Sequence, residues 1–138
     1  MSPQLGTSTS YSMRRFSRSF GVEELACNDG TPVPSKYYDN ATKICERAQR
    51  LRDLLGTPLQ VNSGYRTATY NNKVGGEDKS YHLTASALDL SSHEWTAEQL
   101  GALYEGLIRL GLVPDGGLGI YPTFIHVDLG PPRRWRGK

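Results

Sequence analysis

The stretch Ser80-Tyr81-His82-Leu83-Thr84-Ala85-Ser86-Ala87-Leu88-Asp89 decides how the chain is read. It sets one imidazole and one carboxylate on either side of a run of small residues. From Ala85 to Leu90, small or apolar residues alternate with others, which predicts a buried strand carrying Asp89. A second polar pair, His126-Val127-Asp128, lies in a hydrophobic run near the C-terminus. His126 and Asp128 are two apart on a predicted strand, so they project to one face, while Ile125, Val127 and Leu129 project to the other. A strand with one apolar face and one His/Asp face is unusual unless the polar face borders a site.

Working outward, the flanking sequence reads as a scaffold. Leu118–Tyr121 and Phe124–Leu129 predict two strands of a hairpin around Pro122-Thr123. Thr96 is a cap for a helix over 97–110, with Glu98 and Gln99 in its first turn. Asn40 is the expected cap of a helix over 41–55, whose Ile44, Ala48, Leu51, Leu54 and Leu55 recur at helical spacing. Gly56 and Pro58 close that helix. Residues 59–62 read as a short strand running into the turn Ser63-Gly64-Tyr65-Arg66-Thr67, and 68–74 as a short helix. Phe16, Phe20, Val22, Leu25 and Cys27 are candidates to cover an edge of the core. Residues 1–15 are Ser/Thr-rich and read as a flexible arm, and 16–138 as one domain.

Bulk properties set limits. The chain has 138 residues, enough for one core of its own. It is 37% hydrophobic and 22% charged, which places it among water-soluble globular chains. No apolar run approaches the ~18 residues of a membrane span. Arg14, Arg15 and Arg18 are not followed by an apolar core, so no secretory signal is expected and synthesis in the cytoplasm is. A net charge of +2 does not by itself imply a nucleic-acid partner. The basic tail Arg133-Arg134-Trp135-Arg136-Gly137-Lys138 reads as a solvated terminus; the alternative is attraction to an anionic polymer such as a cell wall. Cys27 and Cys45 have no CxxC spacing and read as free buried thiols. A monomer is expected.

The chemistry follows from residue type. A catalytic zinc typically takes three protein ligands from His, Asp, Glu or Cys, and leaves one position for a water whose pKa it lowers to about 7. His82, Asp89, His126 and Asp128 provide four groups of the right kind, of which three can bind metal and one can exchange a proton. Arg66 can hold a carboxylate or polarise a carbonyl; its plainer reading is a surface salt bridge. His93, the third histidine, lies in a connecting loop beside Glu94 and reads as surface.

Taken together, these motifs resemble the zinc D-alanyl-D-alanine carboxypeptidase and murein endopeptidase family, whose fold is shared with the hedgehog signalling domain. The family pattern Ser-x-His-x-x-Gly-x-Ala-x-Asp is similar to Ser80–Asp89, and its later His-x-Asp to His126–Asp128. Val61–Arg66 is similar to the family's Ser-Gly-Tyr-Arg segment. Glu24–Cys27, Tyr70-Asn71, Val74–Gly76, Gly117–Tyr121 and Arg134-Trp135 add to the likeness, which covers roughly residues 16–136. The resemblance implies an α+β fold, with helices packed on a small, mainly antiparallel sheet. It implies hydrolysis of peptide bonds in peptidoglycan stem peptides or cross-links. It also implies Zn2+ held by His82, Asp89 and His126, Arg66 binding substrate or transition state, and Ser80 and Tyr65 in support. Asp128 is expected as base or as partner of a ligand. The alternative alignment makes Asp128 the ligand and His126 the base. A phage endolysin is the expected setting, and a wall-peptide-binding module without turnover the competing one. One departure stands out: the family glycine is Ala85, which is tolerable if φ there is negative and strained if it is positive.

Overall fold

The computed structural model describes residues 14–138, so most of the expected N-terminal arm, residues 1–13, lies outside the described residues. Arg15, assigned to that arm, is instead the first residue of strand β1. The described chain is α+β: two small sheets and three α-helices, joined by short 3-10 turns.

Strands β1 (Arg15–Ser17) and β2 (Phe20–Gly21) form an antiparallel ribbon. It lays Phe16 and Phe20 into the core, with Phe16 edge-on to Tyr38 at 5.2 Å. Helix α1 (Tyr38–Leu55) buries Ala41, Ile44, Cys45, Ala48, Leu51 and Leu55, most of the stripe its periodicity predicts; Leu54, expected in that stripe, is instead exposed. It ends at Gly56, whose φ of 69° is the left-handed geometry that glycine adopts without penalty. The expected cap is corrected here. The helix begins earlier, after the 3-10 turn Ser35–Tyr37, and Asn40 sits in its first turn. The Asn40 side chain instead donates from Nδ2 to the Thr84 carbonyl at 3.1 Å, tying α1 to the turn that carries His82. Cys27 and Cys45 are free and buried, as expected, and burial pushes the Cys45 thiol up.

The main sheet has five strands in the order β3-β4-β6-β5-β7: β3 (Gln60–Ser63), β4 (Ala87–Ser91), β5 (Gly117–Ile120), β6 (Ile125–Asp128) and β7 (Arg133–Arg136). All pairings are antiparallel except β5 with β7, which is parallel. One face is apolar: Leu88, Leu90, Leu118, Ile125 and Val127 are buried in the core. Helix α3 (Ala97–Arg109) lies on that face so closely that a methyl on Gly101 would meet Ile120. Thr96 is the predicted cap, and Gln99 makes it reciprocal: Gln99 N donates to Thr96 Oγ1 at 3.1 Å, and Thr96 N to Gln99 Oε1 at 2.9 Å. Among the described residues, no helix is long and apolar enough to cross a membrane.

The other face of the sheet is polar, and its register places every group that follows. Ser63, Asp89, His126, Gly119 and Trp135 lie side by side in one row across the five strands. Ala87, Asp128, Gly117 and Arg133 form the next row. The tail is therefore not a solvated terminus. Its backbone pairs with β5, Arg134 reaches Glu105 and Asp115, and Arg136 reaches Glu98, so each of those guanidiniums has an acidic partner on α3 or the turn before β5.

Candidate metal centre

Three ligand-type side chains converge above the polar face. One atom from each of His82, Asp89 and His126 lies within 4.8 Å of the others, and Asp89 and His126 are register partners on β4 and β6. His82 comes from the 3-10 turn Tyr81–Thr84 that precedes β4. Ser80 opens this turn by accepting a hydrogen bond from the His82 backbone N–H at 3.1 Å. Ala85 closes it in the left-handed region, with φ at 56°. The strained case for the family glycine is thus the one this chain adopts.

The surroundings set which nitrogen of each imidazole faces inward, and for His82 they also set the tautomer. His82 Nδ1 is 2.7 Å from the Gly64 carbonyl, which can only accept, so Nδ1 carries the proton. Its Nε2 lone pair then points at Asp89 Oδ1, 3.2 Å away. His126 Nε2 is 2.8 Å from Asp128 Oδ2, and its Nδ1 is 2.9 Å from the same Asp89 Oδ1. Two imidazole nitrogens and a carboxylate oxygen therefore crowd one point while their outer atoms are tied back. The lone pairs of His82 Nε2 and Asp89 Oδ1 face each other and repel unless a proton or a metal cation lies between them. This donor set of two nitrogens and one oxygen fits zinc and leaves a coordination position for water.

Burial alone pushes the Asp89 carboxyl up, but hydrogen bonds and charge from His126 and His82 outweigh it and hold Asp89 well below the usual carboxylate range. Burial pushes His126 down, and its bonds to Asp128 and Asp89 reverse this, so its net direction is up. Asp128 follows Asp89: burial raises it, while His126, the Gly130 N–H and the Arg133 charge lower it further.

Each residue singled out from the sequence has a definite place. Arg66 is at the centre rather than in a surface salt bridge. Nε donates to Ser63 Oγ at 3.0 Å, Nη1 to Asn71 Oδ1 at 3.1 Å and Nη2 to Asp89 Oδ2 at 3.4 Å. Ser80 borders the cleft beside His82. Tyr65 does not: it is 9% exposed, packs near Tyr37 and is absent from the cleft lining. Its expected contact with substrate is corrected to a core role. His93 is exposed and away from the cleft, as read. Asp128 is 1% exposed and both its oxygens are taken. Oδ1 accepts from Gly117 N, Gly130 N and Arg133 Nη1, and Oδ2 from His126 Nε2 and Arg133 Nη2. That leaves no free lone pair for a water's proton, so these contacts fit the partner of a ligand and not the base. Sequence reasoning assigned no role to Asn71, Ser63 or the Gly64 carbonyl. The signal for Asn71 was its helical position shortly after Arg66; a backbone carbonyl carries none.

The centre opens on a cleft of about 580 Å³ lined by Arg66, Glu77, Lys79, Tyr81, Phe124 and Trp135 among others. A second hollow of about 220 Å³ adjoins it, sharing Arg66, Val74, Asp89 and Phe124 and extending to Asn28, Asn62 and Tyr70. Tyr121 and Phe124 stack at 4.5 Å on the β5–β6 turn and form part of the wall.

Comparison with known proteins agrees with this architecture. The family model described as Peptidase M15 matches residues 18–128. The chain belongs to the peptidase M15 family. It is 35% identical over 102 residues to the peptidoglycan L,D-endopeptidase MepK of Escherichia coli K12, a match covering 67% of this chain and 52% of that protein. It is 34% identical over 91 residues to the probable peptidoglycan L,D-endopeptidase MepK of Haemophilus influenzae, covering 61% and 46%. It is 32% identical over 100 residues to the zinc D-Ala-D-Ala carboxypeptidase of Streptomyces albus G, covering 70% and 38%. The chain thus spans about half the length, or less, of these relatives.

Proposed function

We propose that this chain is a zinc-dependent peptidase that hydrolyses peptide bonds in peptidoglycan, and that it cuts within cross-linked peptides rather than only at their ends. The observation that carries the reading is the convergence of His82 Nε2, Asp89 Oδ1 and His126 Nδ1 at the floor of an open cleft. Relatives named as a peptidoglycan endopeptidase and as a zinc carboxypeptidase support the substrate class and the metal. Bound zinc supplies a Lewis acid that lowers the pKa of water and polarises a carbonyl.

The protein's own groups do the rest. The Gly64 carbonyl fixes His82 in the tautomer that turns a lone pair inward, and Asp128 gives the outer nitrogen of His126 the acceptor that a metal-binding ring needs. Asp89 supplies the anionic ligand, oriented through its outer oxygen by Arg66. Arg66 has five N–H donors, and three make the bonds described above. The remaining two suit a substrate carbonyl or carboxylate held over the centre, where charge builds up in the transition state. The hollow beyond Arg66 gives room on both sides of the centre, which favours endo-cleavage.

The test is mass analysis of fragments from defined monomeric and cross-linked muropeptides, using zinc-loaded protein with and without chelator. Cleavage of the cross-linked substrate, abolished by chelator and by His82→Ala, is expected. Intact substrates of every wall type would overturn the reading and leave a module that binds wall peptides without turnover. The narrower setting, a phage lysis enzyme made in the host cytoplasm and acting as a monomer, rests on the sequence. It predicts that the added protein clears a suspension of permeabilised Gram-negative cells and that chelator stops the clearing.

A further inference from the structure

Arg133 lies beyond the segment matched by the family model. Its guanidinium grips both oxygens of Asp128, with Nη2 2.7 Å from Oδ2 and Nη1 3.3 Å from Oδ1. Nη1 also donates to the Pro131 carbonyl at 3.2 Å. Two rings hold it: its central carbon is 5.4 Å from the ring of Tyr81, the residue before His82, and 5.2 Å from that of Trp135. Trp135 in turn lies 5.3 Å from the His126 ring. Space for the grip exists because Gly117 stands between Asp128 and Arg133 in the register row, where any Cβ would collide with both side chains.

We infer that Arg133 is a positioning residue of the metal centre, acting through Asp128 to hold His126 with Nδ1 turned toward the metal site. The inference rests on reading the cluster as a zinc centre. Asp128 Oδ2 is shared between Arg133 and His126 Nε2. A carboxylate held in a two-pronged contact is fixed in plane and can only accept. It therefore accepts the Nε2 proton in the tautomer in which Nδ1 can give its lone pair to a metal. Without Arg133, the two backbone N–H groups at Gly117 and Gly130 hold Oδ1 alone, and Oδ2 is free to swing away from the ring. Lysine cannot replace the fork: one ammonium does not span both oxygens or stack as a plane between two rings.

The test measures zinc affinity by chelator competition for the wild type, Arg133→Gln, Arg133→Lys, Asp128→Asn and the Arg133→Gln/Asp128→Asn pair, with thermal unfolding to check that each folds. Loss of such outer partners typically weakens metal binding about 10- to 100-fold. Both Arg133 variants are expected to fall in that range, and the double variant to bind no more weakly than Asp128→Asn alone, because the two residues act in series. If Arg133→Gln does not fold, Arg133→Lys, which keeps the charge, carries the test. Wild-type affinity in the folded Arg133 variants, or a double variant showing the product of the two single losses, would overturn the inference. A wild-type protein that binds no zinc fails the underlying reading itself, and the inference with it.

Discussion

At the scale of single residues, Ala85 is the position where this chain departs from its family pattern and where the departure has a measurable consequence. An alanine in the left-handed region costs roughly 1–2 kcal/mol. Replacing it with glycine removes that strain, but adds about 0.5–1 kcal/mol of chain entropy lost on folding and removes a buried methyl worth about 0.8 kcal/mol. The contributions nearly cancel, so Ala85→Gly should change stability by less than about 1 kcal/mol in denaturant titration. Ala85→Val has no such offset. A β-branched residue at φ 56° should cost more than about 2 kcal/mol and reduce zinc occupancy, because the same turn presents His82. Asp128→Asn separates the two roles considered for that residue. As the partner of His126, its loss should leave zinc bound but weakened, with turnover reduced; complete loss of zinc in otherwise folded protein would make Asp128 a ligand instead. A third residue, Asp29, ties its loop to the start of helix α2 (Ala68–Lys73), accepting from Thr31 N and Thr67 Oγ1. The Thr31 N–H is the main reason its carboxyl is lowered to about 2. A lowered pKa means the stabilisation is complete above the ordinary carboxylate value and disappears as pH falls through about 2. Between pH 5 and 2 the melting temperature of the wild type should therefore fall further than that of Asp29→Asn; parallel curves would remove Asp29 from the account.

At the scale of elements, strand β7 changes the meaning of the C-terminus. A run of four basic residues in six resembles a solvated tail when only composition is considered. Here it pairs in parallel with β5, and its alternation sends Arg133 and Trp135 to the polar face while Arg134 and Arg136 reach acidic partners toward α3. The strand fits because β5 is bare on its polar face, where it presents Gly117 and Gly119. Gly119 lies under the Trp135 indole, and a methyl there would strike the ring. Gly119→Ala should cost about 1–3 kcal/mol, the usual range for overpacking. It should also shift the tryptophan fluorescence, since the indole must leave its place beside His126 and its hydrogen bond to the Tyr121 hydroxyl at 3.1 Å. Unchanged stability and fluorescence would mean that β7 is not held as described.

For the whole molecule, three ligand-type groups meet on the polar face, and a cation bound there would favour the folded state. Binding that favours the folded state stabilises it by linkage, about 2.7 kcal/mol at a free zinc concentration 100-fold above the dissociation constant. For a domain of this size that raises the melting temperature on the order of 10 °C. Calorimetry with zinc and with chelator should show the shift in the wild type and its absence in His82→Ala. An equal shift in both would place the metal elsewhere.

Much of this was legible in the sequence because the governing forces are local. The helical stripe of α1, the Thr96–Gln99 cap and the two-residue alternation that puts His126 and Asp128 on one face all depend on neighbours a few positions apart. The ligand types and Arg66 were legible for the same reason, as short motifs whose chemistry needs those side chains. Tertiary structure alone decided the rest. Asn40 gave up its expected capping role for a carbonyl in a distant turn. Tyr65 went to the core, although its neighbour Arg66 went to the site. The orientation of the two imidazoles depends on what each outer nitrogen meets. His82 meets the Gly64 carbonyl and His126 meets the Asp128 carboxylate, groups brought in from distant parts of the chain. Non-local pairing has no spacing to read along the chain, so the sequence by itself determined which side chains can meet a metal, and the register of five strands decided how they do so.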